Sequence, residues 1–479
     1  MAAEKAQSDG TAMQVIVLGA GGGPLEDNCT AFLVRSMALG WSKGSVLAVD
    51  TGVHLSAIER LLQQYTSLPP ERPHTLKEGI LSGLELPFKT PGANTSYIAR
   101  DLVGAHLLTH PHLDHISGGI MSTASPCSKP KKIAGLASTI EALKDHIFND
   151  VIWPNLSDEN GGVGLVTFAR LKSGGSSQLG GGFAKGYMEI VEGLGVKSWA
   201  VSHGNCIGNF PYNPDGTNSE TNSPRVPFKS FSGGLHQRSR PPSLDLDLDP
   251  PSPSGDQSRV YASSAFFIRD VSSAREILIW GDVEPDSISG HPRNKHVWRD
   301  AAPKIAAGYL KGIFIECSYD NSRPDEMLFG HLTPRFVMEE LKVLAAEVEW
   351  IRDGHSPTKS RSSGASMRST SPSPTDSASL LRKREKERRE AGRKPSLTTS
   401  GNFMYPPGNR KVHNGAGLFT ELKGNALKGV KVVLIHLKDK MDDGESLSDT
   451  ILREVKKHEE EVKLGCEFLV SEKGMSVYL

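Results

Sequence analysis

Short apolar runs recur along the chain, and many of them stop on a polar residue followed by a turn. Residues 13–18 run into Gly19-Ala20-Gly21-Gly22-Gly23-Pro24, and residues 30–34 form a second run. The runs at 46–49, 107–109, 196–202, 277–280 and 432–435 end on Asp50, His110, His203, Asp282 (through Gly281) and His436 respectively. Runs of this length, rich in β-branched residues and bounded by glycine or polar residues, predict buried strands. Helical spacing separates them. Ser56-x-x-Glu59 opens an amphipathic stretch to Tyr65, and Ser138-x-x-Glu141 reads as a capping box before 142–148. Thr333 as N-cap with Pro334 at the first helical position starts a helix through about 349. A last helix spans 448–464 and stops at Gly465, before a final strand at 466–470. Strands alternating with helices predict an α/β fold.

The glycine-rich turn at 19–24 has the outline of a dinucleotide fingerprint. Pro24 occupies its last glycine position, and 30–34 reads as a strand where that motif requires a helix. A tight turn between two strands is the better reading.

Two segments change the domain picture. Residues 211–258 are rich in Pro, Ser, Asn and Asp, and their alternating Leu244-Asp245-Leu246-Asp247-Leu248-Asp249 lacks the glycine and terminal Glu of a calcium loop. Residues 352–411 begin Ser/Thr-rich and then alternate charge from Arg382 to Glu390, which predicts a solvated segment. The expected organisation is a flexible N-terminus at 1–12 and one catalytic domain over 13–479, interrupted by disordered inserts at 211–258 and 352–411. Arg240-Pro241-Pro242-Ser243 and Arg393-Lys394-Pro395-Ser396 make Ser243 and Ser396 candidate targets of a basophilic protein kinase.

Charge and cysteine content narrow the function. The 55 basic and 55 acidic residues give a formal net charge of zero, so no global field draws the chain to nucleic acid or an anionic membrane. Five cysteines without C-x-x-C spacing argue against a disulfide framework or a thiolate metal site and fit a reducing compartment. The first ten residues are polar, and no apolar run is long enough to span a bilayer. The expectation is a soluble, cytoplasmic protein.

Chemistry concentrates in His110-Pro111-His112-Leu113-Asp114-His115, which packs four metal-ligand types into six residues. In an extended segment His110 and His112 point the same way, leaving Asp114 and His115 to turn toward a second ion. Imidazole with carboxylate suits zinc, and a catalytic zinc keeps one position open. Glycines 118 and 119 follow, and are expected to let the backbone pass close to the metal. One loop cannot close two sites. His203, Asp282 and His436, each after an apolar run, are the candidates to complete them.

That set resembles the metallo-β-lactamase superfamily, whose pattern is H-x-H-x-D-H followed by a distant His, an Asp and a final His. The resemblance implies an αββα sandwich. It also implies that His110, His112 and His203 bind one metal, that Asp114, His115 and His436 bind the other, and that Asp282 bridges them, with Asp50 supporting a ligand from behind. The segment from His110 to Ser122 is further similar to the signature of class II cyclic-nucleotide phosphodiesterases. So is the later pair of blocks, Ile315-Glu316-Cys317-Ser318-Tyr319 and Leu328-Phe329-Gly330-His331-Leu332-Thr333-Pro334. That resemblance implies a dinuclear zinc hydrolase opening 3′,5′-cyclic AMP, or cyclic GMP, to the 5′-nucleotide by attack of a metal-bound hydroxide. Asp114 would orient the nucleophile, His331 would protonate the departing 3′ oxygen, and Glu316 would set the His331 tautomer.

Two alternatives compete. A tRNA 3′-processing endonuclease shares the fold, the ligands and the His331 block, but a compact basic arm for gripping tRNA is missing from the foldable sequence. A scaffold acting through the inserts with a vestigial site is the non-enzymatic alternative, and the intact seven-residue set speaks against it. A di-iron centre would typically replace one motif histidine by a carboxylate.

Overall fold

The structure is a computed structural model, and it describes residues 10–65, 74–125, 129–205, 260–355 and 423–479. Both expected inserts, apart from the start of the second at 352–355, lie outside the described residues, as do Ser243, Ser396, Cys127 and Cys206. The chain divides into a large unit, Met1–Gly354 with Leu422–Leu479, and a small one, His355–Glu421. The elements below belong to the large unit.

The first half of the chain builds β1 (Met13–Gly19), β2 (Ala31–Ser36), β3 (Val46–Thr51), α1 (Leu55–Tyr65), β4 (His74–Thr75), β5 (Glu85–Leu86), α2 (Pro91–Tyr97), β6 (Val103–Leu107), α3 (Leu113–Ser122), β7 (Lys131–Leu136), α4 (Ala137–His146) and β8 (Val166–Leu171). The second half supplies β9 (Met188–Val191), β10 (Leu194–Asn205), β11 (Val260–Asp270), β12 (Glu276–Trp280), α5 (Asn294–Ala306), β13 (Leu310–Glu316), α6 (Pro334–Arg352), β14 (Lys431–Ile435), α7 (Leu447–Val462), β15 (Glu467–Val470) and β16 (Ser476–Tyr478). Two seven-stranded sheets result, ordered β16-β1-β2-β3-β6-β7-β8 and β15-β14-β13-β12-β11-β10-β9, beside the small β4-β5 ribbon. Each large sheet is part antiparallel and part parallel. The parallel pairs are β3-β6-β7-β8 in the first and β12-β13-β14-β15 in the second.

The apolar runs are continuous because most strands are buried on both faces. Alternate residues serve different cores. Val15 and Val17 of β1, Ala105 and Leu107 of β6, Ile277 and Ile279 of β12, and Val433 and Ile435 of β14 fill the space between the sheets. Their neighbours Ile16 and Leu18 pack outward under α1, while Leu278, Trp280, Val432 and Leu434 pack outward under α5, α6 and α7. A smaller cluster including Ile116, Ile140 and Phe148 seats α3 and α4 on the first sheet. Helix, sheet, sheet, helix is the αββα sandwich anticipated from the resemblance. Phe314 is fully buried, with its ring 6.2 Å from that of Phe32 across the sheets, and truncating it to Ala should cost about 3–5 kcal/mol.

Four local expectations need correction. The helix at Ser138 starts earlier, at Ala137, and its N-cap Leu136 has no side-chain capping bond, so the capping-box spacing there is fortuitous. Thr333 is the N-cap of α6 by position, but its hydroxyl makes no capping bond. The strand at 467–470 is not the last, because β16 follows and pairs antiparallel with β1. Sheet contact also begins at Ala12, whose amide donates to the Leu479 carbonyl at 2.7 Å, inside the segment expected to be flexible. Among the described residues no helix is long and apolar enough to cross a membrane.

Candidate metal centre

The two sheets deliver polar residues to one end of the sandwich because parallel strands align their C-terminal ends. Register pairs Val49 of β3 with Leu107 of β6, so Asp50 and the His110 loop leave the first sheet side by side. In the second sheet Ile279 pairs with Phe314 and Glu316 with Ile435, which brings Asp282, Glu316 and His436 to neighbouring positions. His203 arrives on β10. Within the first motif, His112 is the N-cap of α3, and Asp114 and His115 lie in its first turn.

All seven candidate ligands come together. His110, His112, His203 and Asp282 form one convergent group, Asp114, His115, Asp282 and His436 a second, and Asp282, Glu316 and His331 a third. Asp282 lies at the middle. Its Oδ2 is 3.5 Å from Nε2 of His110, 3.5 Å from Nε2 of His203 and 3.2 Å from Nε2 of His436, and its Oδ1 is 3.2 Å from Nε2 of His115. Asp114 Oδ2 lies 3.7 Å from His436 Nε2 and 4.0 Å from His115 Nε2.

The outer nitrogens of the buried imidazoles are occupied in a consistent way. His115 Nδ1 is 2.8 Å from Asp50 Oδ2, and His110 Nδ1 is 3.0 Å from the Thr109 hydroxyl. That hydroxyl donates to Asp50, whose carboxylate also accepts from the Thr109 amide. His436 Nδ1 is 2.7 Å from the Thr30 hydroxyl, which donates to the Gly21 carbonyl, and His203 Nδ1 is 2.9 Å from the Gly330 carbonyl. Each hydroxyl has committed its proton elsewhere, and a carbonyl or carboxylate can only accept. Nδ1–H must therefore donate, which leaves the Nε2 lone pairs pointing inward.

Those inward atoms make the case for a cation. Nε2 of His110, His115 and His436 and Oδ1 of Asp282 are buried without a hydrogen-bond partner. Buried orphan acceptors are costly unless something satisfies them. Ligand atoms spaced 3.2–3.5 Å apart are what a common ion about 2.0–2.1 Å from each would require. The donor set fits a metal pair. The electrostatics agree: burial pushes His110, His112 and His436 below the ordinary imidazole range and His203 down to about 4, which keeps them in the neutral, ligating form. Burial also raises the Asp282 carboxyl, but the imidazoles of His436, His115 and His110 outweigh it and hold it well below the usual carboxylate range. His115 goes the other way. Burial lowers it, yet Asp282 on one nitrogen and Asp50 on the other raise it well above 6.5, so the two carboxylates favour positive charge at this position, which an ion on Nε2 would supply in place of a proton.

Glu316 and His331 occupy the same wall, with His331 Nδ1 2.9 Å from Glu316 Oε1. Burial and the nearby Asp282 raise Glu316 to about 7, while burial lowers His331 to about 4.

Sequence reasoning missed several neighbours. Thr109 and Thr30 hold imidazoles, and only the position of Thr109 directly before His110 hinted at it. Lys438 Nζ donates to the Gly22 carbonyl at 2.7 Å and lies 4.0 Å from Asp114 Oδ2; its place two residues after His436 was the available signal. The glycine expectation also changes. Gly119 leaves no room for a side chain because a Cβ there would meet the Thr51 hydroxyl at 2.1 Å, so it seats α3 on the β3 turn and does not admit a metal. The close approach is made by Gly22, where a Cβ would lie 2.5 Å from His436 Nε2, and this accounts for the glycine-rich turn after β1.

The family model of the class-II cAMP phosphodiesterases matches residues 11–211 and 252–369. A 3′,5′-cyclic-nucleotide phosphodiesterase of Schizosaccharomyces pombe is 27% identical over 341 residues, covering 69% of this chain and 75% of the relative. 3′,5′-Cyclic-nucleotide phosphodiesterase 1 of Saccharomyces cerevisiae is 26% identical over 365 residues, covering 69% of this chain and 82% of the relative. Among solved structures, that of unliganded yeast PDE1 superposes with a TM-score of 0.57 at 21% identity, covering 98% of this chain and 100% of that one, a likeness of fold.

Proposed function

The chain belongs to the class-II cAMP phosphodiesterases, and from that premise we propose that the seven-residue cluster is a dinuclear zinc centre that hydrolyses 3′,5′-cyclic AMP, or cyclic GMP, to the 5′-nucleotide. Membership decides against the tRNA-processing alternative, and the convergence of all seven ligand residues speaks against a vestigial site. The observation that carries the site assignment is the convergence of unpartnered Nε2 atoms on Asp282. His110, His112 and His203 would hold one ion, Asp114, His115 and His436 the other, with Asp282 between them and Asp50 behind His115.

A cyclic phosphodiester is an anion with a poor leaving group. When bound, a metal pair supplies positive charge to the phosphoryl oxygens and lowers the pKa of water toward ~7. The chain's own groups do the rest. Asp114, whose side chain is 25% exposed against 2% for Asp282, is the carboxylate reachable from solvent and orients the attacking water. Lys438, held by the Gly22 carbonyl, adds a fixed ammonium at the same edge. His331 hands the proton on Nε2 to the departing 3′ oxygen while Glu316 passes its own proton from Oε1 to His331 Nδ1. The imidazole ends neutral, and the new negative charge rests on Glu316, where the Val283 amide and Ser318 hydroxyl donate to it.

The test is hydrolysis of cyclic AMP by purified protein, with metal content measured on the same sample and His112→Ala as control. Metal-dependent release of 5′-AMP, lost in the variant, is expected. About two metal ions per chain without turnover would overturn the substrate assignment. The reading includes a cytoplasmic location and, from sequence alone, kinase action on Ser243 and Ser396; phosphopeptide maps unchanged by kinase activation would remove the latter.

A further inference from the structure

The rim of the centre carries exposed apolar side chains from three segments: Leu113, Tyr261 and Phe329, the last 58% exposed. Phe329 differs from the others in how it is held. Its φ of +53° lies in the left-handed region, which a bulky side chain enters only under backbone strain. The backbone on either side enforces that conformation. Leu328 is buried before it, and Gly330 after it sits so close to His203 that a Cβ there would lie 2.4 Å from the His203 carbonyl oxygen. The Gly330 carbonyl also accepts from His203 Nδ1, so the position of Phe329 is tied to a candidate metal ligand.

The ring is also backed by a guanidinium and a second aromatic side chain. The Arg323 guanidinium lies 5.7 Å from the Phe329 ring centre and 4.6 Å from that of Tyr319, and its Nε–H donates to the Met327 carbonyl at 2.9 Å. The Tyr319 ring in turn meets His331 edge-on, with ring centres 5.9 Å apart. An aromatic face kept exposed at the cost of backbone strain, one side chain away from the leaving-group wall, is suited to a planar ligand.

We propose that Phe329, supported by Arg323 and Tyr319, is the surface on which the base of the cyclic nucleotide stacks, with the phosphodiester on the metal centre. The proposal rests on the phosphodiesterase reading and adds where the base goes. Stacking on an aromatic side chain contributes roughly 1–3 kcal/mol per base, so Phe329→Ala should raise KM for cyclic AMP by about 5- to 150-fold while kcat changes much less. Phe329→Trp should restore KM, because any aromatic face serves. Tyr261, 5.6 Å from His112, is the competing wall.

The experiment compares wild type, Phe329→Ala, Phe329→Trp and Tyr261→Ala, each with metal content measured. KM and kcat for cyclic AMP are read beside inhibition by 5′-AMP and by ribose 5-phosphate, which lacks the base. Expected is a preference for 5′-AMP that Phe329→Ala abolishes and Phe329→Trp keeps, with indole fluorescence of the latter quenched by 5′-AMP and not by ribose 5-phosphate. An unchanged preference in Phe329→Ala, or its loss in Tyr261→Ala instead, overturns the proposal. If the wild type does not turn over cyclic AMP but Phe329→Trp still reports 5′-AMP, the substrate reading fails and the stacking surface stands.

Discussion

The two sheets contribute to the centre in different ways. The first supplies His110, His112, Asp114 and His115 from one loop and the first turn of α3, with His115 braced by Asp50 and His110 by Thr109, which is itself bonded to Asp50. The second supplies His203 on β10, and Asp282 and His436 just beyond β12 and β14, with His203 braced by the Gly330 carbonyl and His436 by Thr30. The first half is thus set by local spacing and the second by topology, since only the parallel register of β12, β13 and β14 brings their ends level. One contiguous half is cheap to build and shares its supports. The dispersed half depends on the whole sheet, but a fault in one member leaves the other braces in place.

The sharpest way to break this contrast is through the residue both halves share. Asp282 faces imidazoles from each sheet, so Asp282→Ala should remove both ions and the activity with them. The loss should exceed the ~100-fold ceiling typical for outer partners of a metal ligand. Metal content and cyclic AMP turnover on the same sample check it, and retention of a full metal complement would show that Asp282 is not the common ligand.

Second in size is a comparison of braces. Asp50 accepts from the Thr109 amide and hydroxyl and holds His115, whereas Thr30 holds His436 alone. Asp50→Asn should therefore lower metal affinity more than Thr30→Val, toward ~100-fold against ~10-fold. Competition with a chelator reads both. Equal effects would mean that the contiguous half gains nothing from its shared support.

Legibility in the sequence follows the same division. The His110 loop could be read directly, because ligand spacing within an extended segment and a helical turn is a local property. His203, Asp282 and His436 were legible only as polar ends of apolar runs, and the structure brings them together through strand register, which spacing does not encode. The alternation of strands and helices was legible in the apolar runs, and the αββα layering came from the resemblance alone. What stayed hidden was settled by tertiary contact. Strand β16 is three residues long and exists by pairing with β1, the hydroxyls of Thr30 and Thr109 look ordinary in sequence, and Phe329 shows itself only by a backbone angle. The Ser138 spacing misled because Ala137 already continues the helix upstream of it.

The smallest predicted effect separates the two halves by stability, away from the centre. His54 on the turn before α1 is fully buried with both ring nitrogens unpartnered, and burial with the charges of Lys131 nearby lowers it to about 3. Between that value and 6.5 the unfolded chain binds a proton that the folded one does not. Stability is then complete above pH 6.5 and falls on acidification by up to about 1.4 kcal/mol per pH unit. Glu340 on α6 behaves oppositely. Its carboxylate accepts from the Asp286 amide, the Asn294 amide group and the Trp298 indole, yet burial and Asp286 raise it to about 7. Between 4.5 and 7 the folded chain holds a proton that the unfolded one has lost, so this group's contribution declines as pH rises through that window, at up to about the same slope. Denaturant unfolding from pH 4 to 8, read as the difference between each variant and the wild type, isolates the two contributions from those of the other shifted groups. His54→Phe should lessen the loss of stability on acidification, and Glu340→Gln the decline with rising pH. Both substitutions change the level of stability through packing and hydrogen bonding, but only the slope reports the proton, and a slope that neither variant alters would remove both groups from the pH dependence.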